Sequence, residues 1–340
     1  MIPRPEKILA LQFKYFGDAV LMTPALRALR HHFSSAEIHL LVPAEVAPLF
    51  QHLPWLDRVW SMPRRRGNAS PRQTWPLISA LRREQFDRSV DFASNDRGAI
   101  LSFLIGSKNR LGWDEAGGFF GRKFLYNLRV KSVANPPHES TRLANLLSGW
   151  HISQPTSLVP EIHADPALVS AAKILLPCAS PVVCHVASSQ PKKEWPLAHW
   201  AQFYKLASTA GWSLVFTTAR GERETALMAK FKDLVPGAAI LPPILELPLF
   251  LAVLAKAAVF ISGDTGPLHF AAGLGVPTIS LFGPTLPSRW APIGAKHVAL
   301  SGSACGCDGN LFACASPKHC LAEINPDQVY AALCKMAGEN

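Results

Sequence analysis

The stretch SGDTGPLHFAAGLGVPTISLFGPT, Ser262 to Thr285, sets glycines, prolines, an aspartate and a histidine among the apolar runs of a buried unit. The run AVFIS before Gly263 predicts a strand, LHFAAGLG predicts a helix, and TISLF predicts a second strand. Strand, helix and strand in this order form the repeating unit of a parallel α/β sheet. Polar and glycine residues at the junction of strand and helix predict a binding site at the carboxyl end of that sheet.

This junction has the features of an anion site. Pro267 suits the first turn of a helix, whose unsatisfied N–H groups and dipole favour a negative charge. Gly263 and Gly266 would let a bulky diphosphate approach the backbone, and Thr265 would add a hydroxyl donor. The alternative is that Asp264 or Thr265 only caps the helix and the glycines only form a turn.

Around this stretch the chain shows two alternating series of predicted strands and helices. The first series has the strands KILALQF, EIHLLV, RVWSM and RSVDF, and its first helix contains Pro24, which must kink that helix or mark its real start. The second series has the strands PVVCHVA, WSLVFTT, AVFIS and TISLF, and HISQPTSLVPEIHADP separates the two series as a linker. Two α/β halves in tandem predict two parallel-sheet domains with a ligand cleft between them.

Length and composition agree with two packed domains, since the 340 residues are 49% hydrophobic and 17% charged. No apolar run reaches the roughly 20 residues of a membrane-spanning helix, and the start MIPRPEKILALQF does not resemble a signal peptide. We therefore expect a cytoplasmic protein. The chain has no G-x-G-x-x-G and no G-x-x-x-x-G-K-[ST] sequence, so a dehydrogenase and a P-loop NTPase lose their main support.

The positive charge is concentrated in the first half of the chain. Residues 1–150 hold 21 Lys/Arg against 12 Asp/Glu, whereas residues 151–340 hold 13 against 12. The excess suggests that the first half meets a phosphorylated substrate, an anionic lipid surface or a nucleic acid, or that it is merely a soluble basic surface. The chain shows no nucleic-acid recognition module, so we expect no nucleic-acid partner.

Four of the seven cysteines lie close together near the C-terminus, at Cys305, Cys307, Cys314 and Cys320. Their spacing lacks the paired C-x2-C of most structural zinc sites. A loop of reduced thiols is therefore the favoured interpretation, and metal binding is the alternative.

The stretch from Asp264 to Thr285 resembles the hallmark D-[TS]-G-x-x-H-x-A-A-x-x-x-x-P-x-x-x-L-[FY]-G-x-T of the ADP-heptose:lipopolysaccharide heptosyltransferases, which are glycosyltransferases of the GT-B fold. The segment GDAVLMTPAL is similar to the start of that family, and KKEWPLAHW is similar to its K-x-W-P-x-x-x-W segment. CLAEINPDQVYAAL resembles the family's C-terminal helix. The first three of these motifs, in the right order over nearly the whole chain, are together more specific than any one of them.

The resemblance implies an α/β protein of GT-B fold, with two Rossmann-like parallel-sheet domains that face each other across a cleft. Residues 1–160 would bind the acceptor, residues 161–325 would bind the nucleotide sugar, and the helix over 326–340 would pack back toward the first domain. The implied reaction is inverting transfer of heptose from ADP-L-glycero-D-manno-heptose to the inner core of lipopolysaccharide in a Gram-negative bacterium. We expect a monomer that needs no cofactor. No D-x-D sequence is present to hold Mg²⁺ or Mn²⁺, so we also expect no metal. The expected acceptor is a phosphorylated lipid A/Kdo-type glycolipid, which the protein would meet at the cytoplasmic leaflet of the inner membrane.

The resemblance also assigns residues. Asp18 would be the catalytic base, although without the resemblance a helix-capping role is favoured. Lys193 would stabilise the leaving diphosphate, although it and its neighbour could form a solvated surface pair. The predicted donor-binding residues are Asp264, Thr265, Gly266, His269, Glu222 and Lys192, and a solvated helix start is the equal alternative for Glu222. The predicted acceptor-binding residues are Lys14, Arg64, Arg65 and Arg66, with Arg72 beside them as a further candidate. The four arginines could instead contact the membrane surface, or simply form a solvated loop.

Two other functions remain open from the sequence. A GT-B glycosyltransferase could use another nucleotide sugar or acceptor, since helix N-termini recognise a diphosphate without regard to the sugar. A sugar-nucleotide-binding protein that has lost catalysis is the alternative of another class. The presence of both Asp18 and Lys193 argues against it, because a pure binder needs neither.

Overall fold

The computed structural model describes residues 4–63, 71–115, 118–119, 121–132, 138–302, 314 and 319–338, without the side chains of 71–73. The chain divides into two units, Met1–Ile162 and His163–Asn340. The boundary falls inside the predicted linker, close to the domain limit expected at residue 160.

The first unit alternates strands with helices along the chain. Its elements are β1 (Lys7–Leu11), α1 (Phe16–Leu21), α2 (Thr23–His32), β2 (Glu37–Pro43), β3 (Arg58–Met62), α3 (Pro71–Arg83), β4 (Arg88–Asp91), α4 (Asp96–Ile105), β5 (Asn109–Asp114), β6 (Leu128–Lys131) and α5 (Glu139–Asn145).

The second unit repeats this alternation. Its elements are α6 (Pro166–Ala172), β7 (Val182–His185), α7 (Leu197–Thr209), β8 (Leu214–Thr217), α8 (Glu222–Leu234), β9 (Ala239–Ile240), α9 (Leu247–Leu254), β10 (Val259–Gly263), α10 (Gly266–Gly273), β11 (Thr278–Phe282), α11 (Pro287–Trp290), β12 (His297–Ser301) and α12 (Pro326–Gly338).

Both units contain a parallel six-stranded sheet with the same order of strands. The first sheet runs β3-β2-β1-β4-β5-β6, and the second runs β12-β11-β10-β7-β8-β9. Counted within its own unit, each is the doubly wound order 3-2-1-4-5-6, in which the winding direction reverses between the first and fourth strands. Ligands of such sheets bind outside the carboxyl ends of the strands at that reversal. The expected positions are therefore the ends of β1 and β4 in one unit and of β7 and β10 in the other.

The strands predicted from continuous apolar runs are all present, and their central members are buried on both faces. In β10 and β11, for example, every residue is buried. The sequence interpretation missed β5, β6, β9 and β12. Of these, β6 is an outer strand of the first sheet, and β9 and β12 are the two outer strands of the second sheet. Outer strands are half exposed, so they lack the apolar continuity by which a buried strand is recognised.

The predicted first helix is in fact two helices, α1 and α2, which meet at Met22. Pro24 lies in the first turn of α2, where a missing N–H is harmless, so it marks a helix start and does not kink one. At the other end of the chain, α12 packs against α7 and β11 of its own unit. Its predicted packing toward the first domain stays a prediction. No helix in the described part of the chain is long and apolar enough to cross a membrane.

A buried carboxyl group lies at the end of β4, next to the reversal of the first sheet. Asp91 is fully buried, accepts a hydrogen bond of 2.6 Å from the Tyr126 hydroxyl, and accepts another of 2.9 Å from the Ala93 N–H. A Cβ at Gly98 would stand 2.2 Å from its carboxylate, so the first turn of α4 packs directly against this group. Burial raises the pKa of Asp91 to about 6, against the opposing effect of the two hydrogen bonds.

This raised pKa predicts that the difference in the free energy of unfolding between the wild type and Asp91→Asn depends on pH. The folded state holds the Asp91 proton more tightly than the unfolded state, so its contribution to stability is present at acidic pH and is lost as pH rises through about 6. Asparagine imitates the protonated acid at every pH. In urea unfolding, we expect the stability of Asp91→Asn relative to the wild type to increase by about 2 kcal/mol between pH ~4 and pH ~8.

Asp233→Asn, which changes an exposed carboxyl group on α8, is the control and should show no such trend. If the difference in unfolding free energy between Asp91→Asn and the wild type does not change with pH, Asp91 titrates near its ordinary value.

Candidate functional site

The N-terminus of α10 follows the end of β10, one of the two strands at the reversal of the second sheet. Thr265 occupies the N-cap position with extended backbone, but its side chain makes no capping hydrogen bond. The Thr265 Oγ1 and the His269 Nδ1 are buried and have no hydrogen-bond partner within the described residues. Because buried polar atoms normally have partners, the capping interpretation does not account for these side chains, and their position suits a polar ligand.

Two more threonines repeat this pattern at the same edge of the sheet. Thr218 follows β8 and Thr285 follows β11, and the hydroxyl of each is buried without a partner in the part of the chain that the structure describes. Unsatisfied hydroxyl groups after β8, β10 and β11, at one edge of the sheet, indicate a site that is completed by a ligand with many acceptor oxygens.

Lys193, Asp264 and His269 form a charged cluster at this edge. The Lys193 Nζ lies 2.6 Å from Asp264 Oδ2, and His269 Nε2 lies 3.8 Å from Oδ1 of the same carboxylate. Burial alone would raise the pKa of Asp264, but the neighbouring His269 imidazole and the Lys193 charge lower it far below its usual range. Asp264 is therefore ionised at any working pH, and its charge fixes the lysine beside the start of α10.

The backbone around Lys193 is held as closely as its side chain. A Cβ at Gly263 would stand 2.5 Å from the Lys193 carbonyl oxygen, which no real Cβ could occupy. Only glycine therefore allows the segment after β7 to lie directly on the end of β10. The sequence analysis expected Gly263 to let a diphosphate approach the backbone, but in this structure the backbone of Lys193 occupies that space. The approach of a diphosphate stays a prediction.

Lys192 and Lys193, which could have formed a solvated surface pair, lie in different environments. The Lys193 side chain is mostly buried in its contact with Asp264, whereas the Lys192 Nζ donates a hydrogen bond of 2.5 Å to the Cys314 carbonyl oxygen. Lys193 is thus the lysine that faces the α10 N-terminus, and the predicted donor contact of Lys192 stays a prediction.

An ion-pair network that the sequence interpretation missed holds the segment Ser188–Glu194. The Glu194 carboxylate accepts a hydrogen bond of 2.9 Å from the Ser188 N–H and pairs with Arg223 at 2.8 Å. Arg223 also donates to the Ser188 carbonyl oxygen. Glu222 is the first residue of α8, at the carboxyl edge of the sheet, and its side chain is exposed. The sequence segment GERE suggests only a charged helix start and gives no sign that Arg223 turns back to Glu194.

In the first unit, Asp18 lies at the reversal of the sheet, just after β1. It is the third residue of α1, whose N-cap is Tyr15, so the alternative that Asp18 is an N-cap is wrong. Its side chain is 8% exposed. Lys14 is half-buried in the loop between β1 and α1, where its N–H donates to Gln12 Oε1 at 3.1 Å.

The remaining acceptor candidates cannot be placed. Arg64, Arg65 and Arg66 lie outside the described residues, as does the side chain of Arg72. Their predicted role therefore stays a prediction.

A buried arginine close to Asp18 was not predicted from the sequence. Arg142 on α5 pairs with the buried Glu139 at 2.7 Å and with Glu115 at 3.3 Å, and it lies over the Trp113 ring. Burial by itself would lower the pKa of Arg142, but the hydrogen-bonded Glu139 raises it, and so does the negative charge of Asp18. The cation is therefore permanent and acts electrostatically on Asp18.

Within the described residues, no group of three or more His, Cys, Asp or Glu side chains is placed to hold a metal ion. Cys305 and Cys307 lie outside those residues. The predicted lack of a metal thus stays a prediction.

Comparison with known proteins places the chain among the glycosyltransferases. Residues 74–313 match the family model "Glycosyltransferase family 9 (heptosyltransferase)". The chain is 24% identical over 303 residues to lipopolysaccharide heptosyltransferase 2 of Escherichia coli K12, which covers 85% of this chain and 86% of that protein.

Two solved structures share the fold. The glycosyl transferase family 9 protein from Veillonella parvula superposes with a TM-score of 0.82 at 18% identity over 98% of both chains. The E. coli heptosyltransferase WaaC with ADP-2-deoxy-2-fluoro heptose superposes with a TM-score of 0.72 at 19% identity, over 97% of this chain and 99% of that one. The predicted GT-B class with two Rossmann-like parallel sheets is confirmed.

Proposed function

Since this chain belongs to glycosyltransferase family 9, the heptosyltransferases, we propose that it transfers heptose from ADP-L-glycero-D-manno-heptose to the inner core of lipopolysaccharide. Proteins that are similar to this one over most of its length are named lipopolysaccharide heptosyltransferases. The structure of one protein of the same fold was determined with an ADP-heptose analogue. The observation that carries the proposal is the start of α10, where the ion pair of Lys193 and Asp264 and two unsatisfied side chains lie beside the first-turn N–H groups of the helix.

In the proposed reaction the second unit binds the donor diphosphate. The N–H groups of the first α10 turn and the Thr265 hydroxyl donate to the phosphate oxygens, and Lys193 neutralises the charge that grows as ADP leaves. Asp264 binds no phosphate itself, because it is an anion. Its role is to hold Lys193 in place, and the proposal therefore makes it a positioning residue of the donor site.

The first unit supplies the base. The acceptor hydroxyl oxygen forms a bond to the anomeric carbon, the bond from that carbon to the diphosphate oxygen breaks, and ADP leaves with the bonding pair. Asp18 takes the proton of the attacking hydroxyl. Attack opposite to the leaving group inverts the anomeric carbon. Arg142, which pairs with Glu139 and Glu115, also interacts electrostatically with Asp18.

The acceptor in this proposal is a phosphorylated glycolipid. Inner-core lipopolysaccharide carries phosphates and sugar carboxylates, and the excess of Lys and Arg in residues 1–150 complements them. We propose that the enzyme works as a monomer at the cytoplasmic leaflet of the inner membrane, with Lys14 and Arg64–Arg66 as acceptor contacts and Glu222 as a contact to the nucleotide ribose. We also propose that Lys193 and the α10 N-terminus replace a metal ion.

Nucleotide selectivity tests the donor assignment. A ligand at about 100 times its dissociation constant stabilises a protein by about 2.7 kcal/mol, which raises the melting temperature of a unit of this size by several degrees. In thermal scanning with ADP, UDP, GDP and CMP at equal concentration, we expect ADP to give the largest shift, and Thr265→Val to reduce it.

A larger shift with UDP would remove the heptose assignment and leave the fold assignment intact. No shift with any nucleotide would contradict the donor site itself. Formation of the heptosylated product from ADP-heptose, followed by mass spectrometry, is the direct test of the reaction.

A further inference from the structure

Exposed aromatic and aliphatic side chains lie on α4 and on the segment that packs beside it in the first unit. Ile100 and Phe103 follow one another at a helical spacing of three on α4, so they share its outer side. Phe119 and Phe124 lie in the segment between β5 and β6, beside the same helix. Their exposed fractions are 41%, 51%, 40% and 67% in that order. Single exposed apolar residues are ordinary, but a contiguous group is not.

Contacts on this face link α4 to the segment that carries Phe119 and Phe124. The Phe119 N–H donates to Asp96 Oδ1 at the start of α4, at 3.3 Å. The Arg110 guanidinium lies 5.6 Å from the centre of the Phe103 ring and donates to the carbonyl oxygen of Leu125, next to Phe124. We call Ile100, Phe103, Phe119 and Phe124 the apolar face.

Cations surround the apolar face. The Lys123 Nζ lies 5.4 Å from the centre of the Phe124 ring, Arg110 covers Phe103, and Arg97 is exposed on α4 one turn before Ile100. Asp96 also borders the face, but Arg122 lies 3.6 Å from it and offsets its charge. The face therefore combines apolar side chains with a net positive rim.

This chemistry matches the boundary between the headgroups and acyl chains of an anionic bilayer. Phenylalanine and isoleucine insert among acyl chains, while lysine and arginine reach the headgroup phosphates. The start of α4 and Phe119 lie toward the carboxyl edge of the sheet, whereas Arg110 at the start of β5 and Phe124 before β6 lie toward the amino edge. The apolar face therefore extends along the outer side of α4 from one edge of the sheet toward the other.

We propose that the apolar face and its basic rim, formed by Arg97, Arg110 and Lys123, dock this protein onto anionic lipid membranes. The choice of a lipid occupant rests on the proposed function, since a glycolipid acceptor is anchored in such a membrane. The binding of lipid is nevertheless measurable without any transfer reaction, so the two proposals can fail separately.

Sedimentation with vesicles tests the proposal. The full chain should bind vesicles of phosphatidylcholine with phosphatidylglycerol, bind pure phosphatidylcholine vesicles much more weakly, and lose affinity as salt is added. The variant Phe103→Gln/Phe124→Gln should lower the partition coefficient at least about tenfold, because two apolar side chains no longer insert. Neutralising the rim with Arg97→Gln/Lys123→Gln should lower it about tenfold or more on anionic vesicles only.

A matched control exists in the second unit, where Lys173 and the 89%-exposed Ile174 repeat the lysine-apolar pair of Lys123 and Phe124. Lys173→Gln/Ile174→Gln should bind vesicles like the wild type. All variants should keep the wild-type melting temperature and the wild-type ADP shift, which separates lost docking from lost folding.

Wild-type protein that fails to bind anionic vesicles would overturn the proposal, and so would an equal loss in the Lys173/Ile174 control. If the Phe103/Phe124 variant binds vesicles normally but turns a dimeric wild type into a monomer, the face is an interface between copies and the lipid proposal is wrong. Failure of heptose transfer with the expected vesicle results would reject the proposed reaction and leave the docking surface in place.

Discussion

Asp18→Asn is expected to lower the rate of transfer by about 10³- to 10⁴-fold, because loss of a general base removes the group that accepts the hydroxyl proton. Asparagine keeps the size of the side chain in its largely buried position. The donor residues lie in the other unit, so the ADP-induced shift in melting temperature should be that of the wild type. The measurement is the single-turnover rate with ADP-heptose, together with the thermal shift.

Asp96→Asn is the matched control, since Asp96 also lies in the first turn of a helix at the carboxyl edge of the first sheet. Its transfer rate on an acceptor without acyl chains should stay within about threefold of the wild type. Turnover of Asp18→Asn near the wild-type rate would show that Asp18 is structural, and a loss of the ADP shift would show that the substitution disturbs more than the base.

Lys193→Met should give the second large effect, on both catalysis and stability. Without the cation, the diphosphate leaves less readily, and we expect transfer to fall by about 10²- to 10³-fold. Asp264 then remains buried without its partner at 2.6 Å, and loss of one member of a buried ion pair costs about 3–5 kcal/mol. The measurements are the transfer rate below the melting temperature of the variant and its free energy of unfolding in urea.

The adjacent lysine provides the control. Lys192→Met removes an exposed hydrogen bond to a backbone carbonyl, so it should change stability by no more than about 1 kcal/mol and transfer by only a few-fold. Lys193→Arg keeps a positive charge beside Asp264 and should recover most of the stability but not the full rate. A larger loss of transfer in Lys192→Met than in Lys193→Met would exchange the roles of the two lysines.

The sequence was sufficient to predict the central strands, since residues such as those of β1 and β10 are buried on both faces and leave long apolar runs. It was insufficient for β6 and β12, whose alternately exposed residues resemble loop sequence. A two-residue strand such as β9 leaves no pattern at all. The order of the strands, which identifies the reversal in each sheet, is a property of tertiary packing and not of local composition.

The candidate site likewise contains features that the sequence predicted and features that it did not. Loop chemistry in Ser262–Thr285 predicted the edge of the sheet and the start of α10 correctly. Neither the contact of Lys193 with Asp264 nor the return of Arg223 to Glu194 could be predicted, because each joins residues from different βα units. Arg142 was missed since an arginine on a helix is normally solvated, and only the fold reveals that Glu139 is buried beside it.

The fastening of the segment Ser188–Glu194 has a consequence for the energetics of catalysis. Glu194 ties its two ends together, Arg223 ties it to α8, and Trp195 after it is buried with its indole N–H donating to the Ile324 carbonyl oxygen at 2.8 Å. The conformational entropy of this loop is thus already lost when the chain folds. The arriving sugar nucleotide meets a preorganised lysine, and its interaction energy is not consumed in ordering the loop but remains for lowering the reaction barrier.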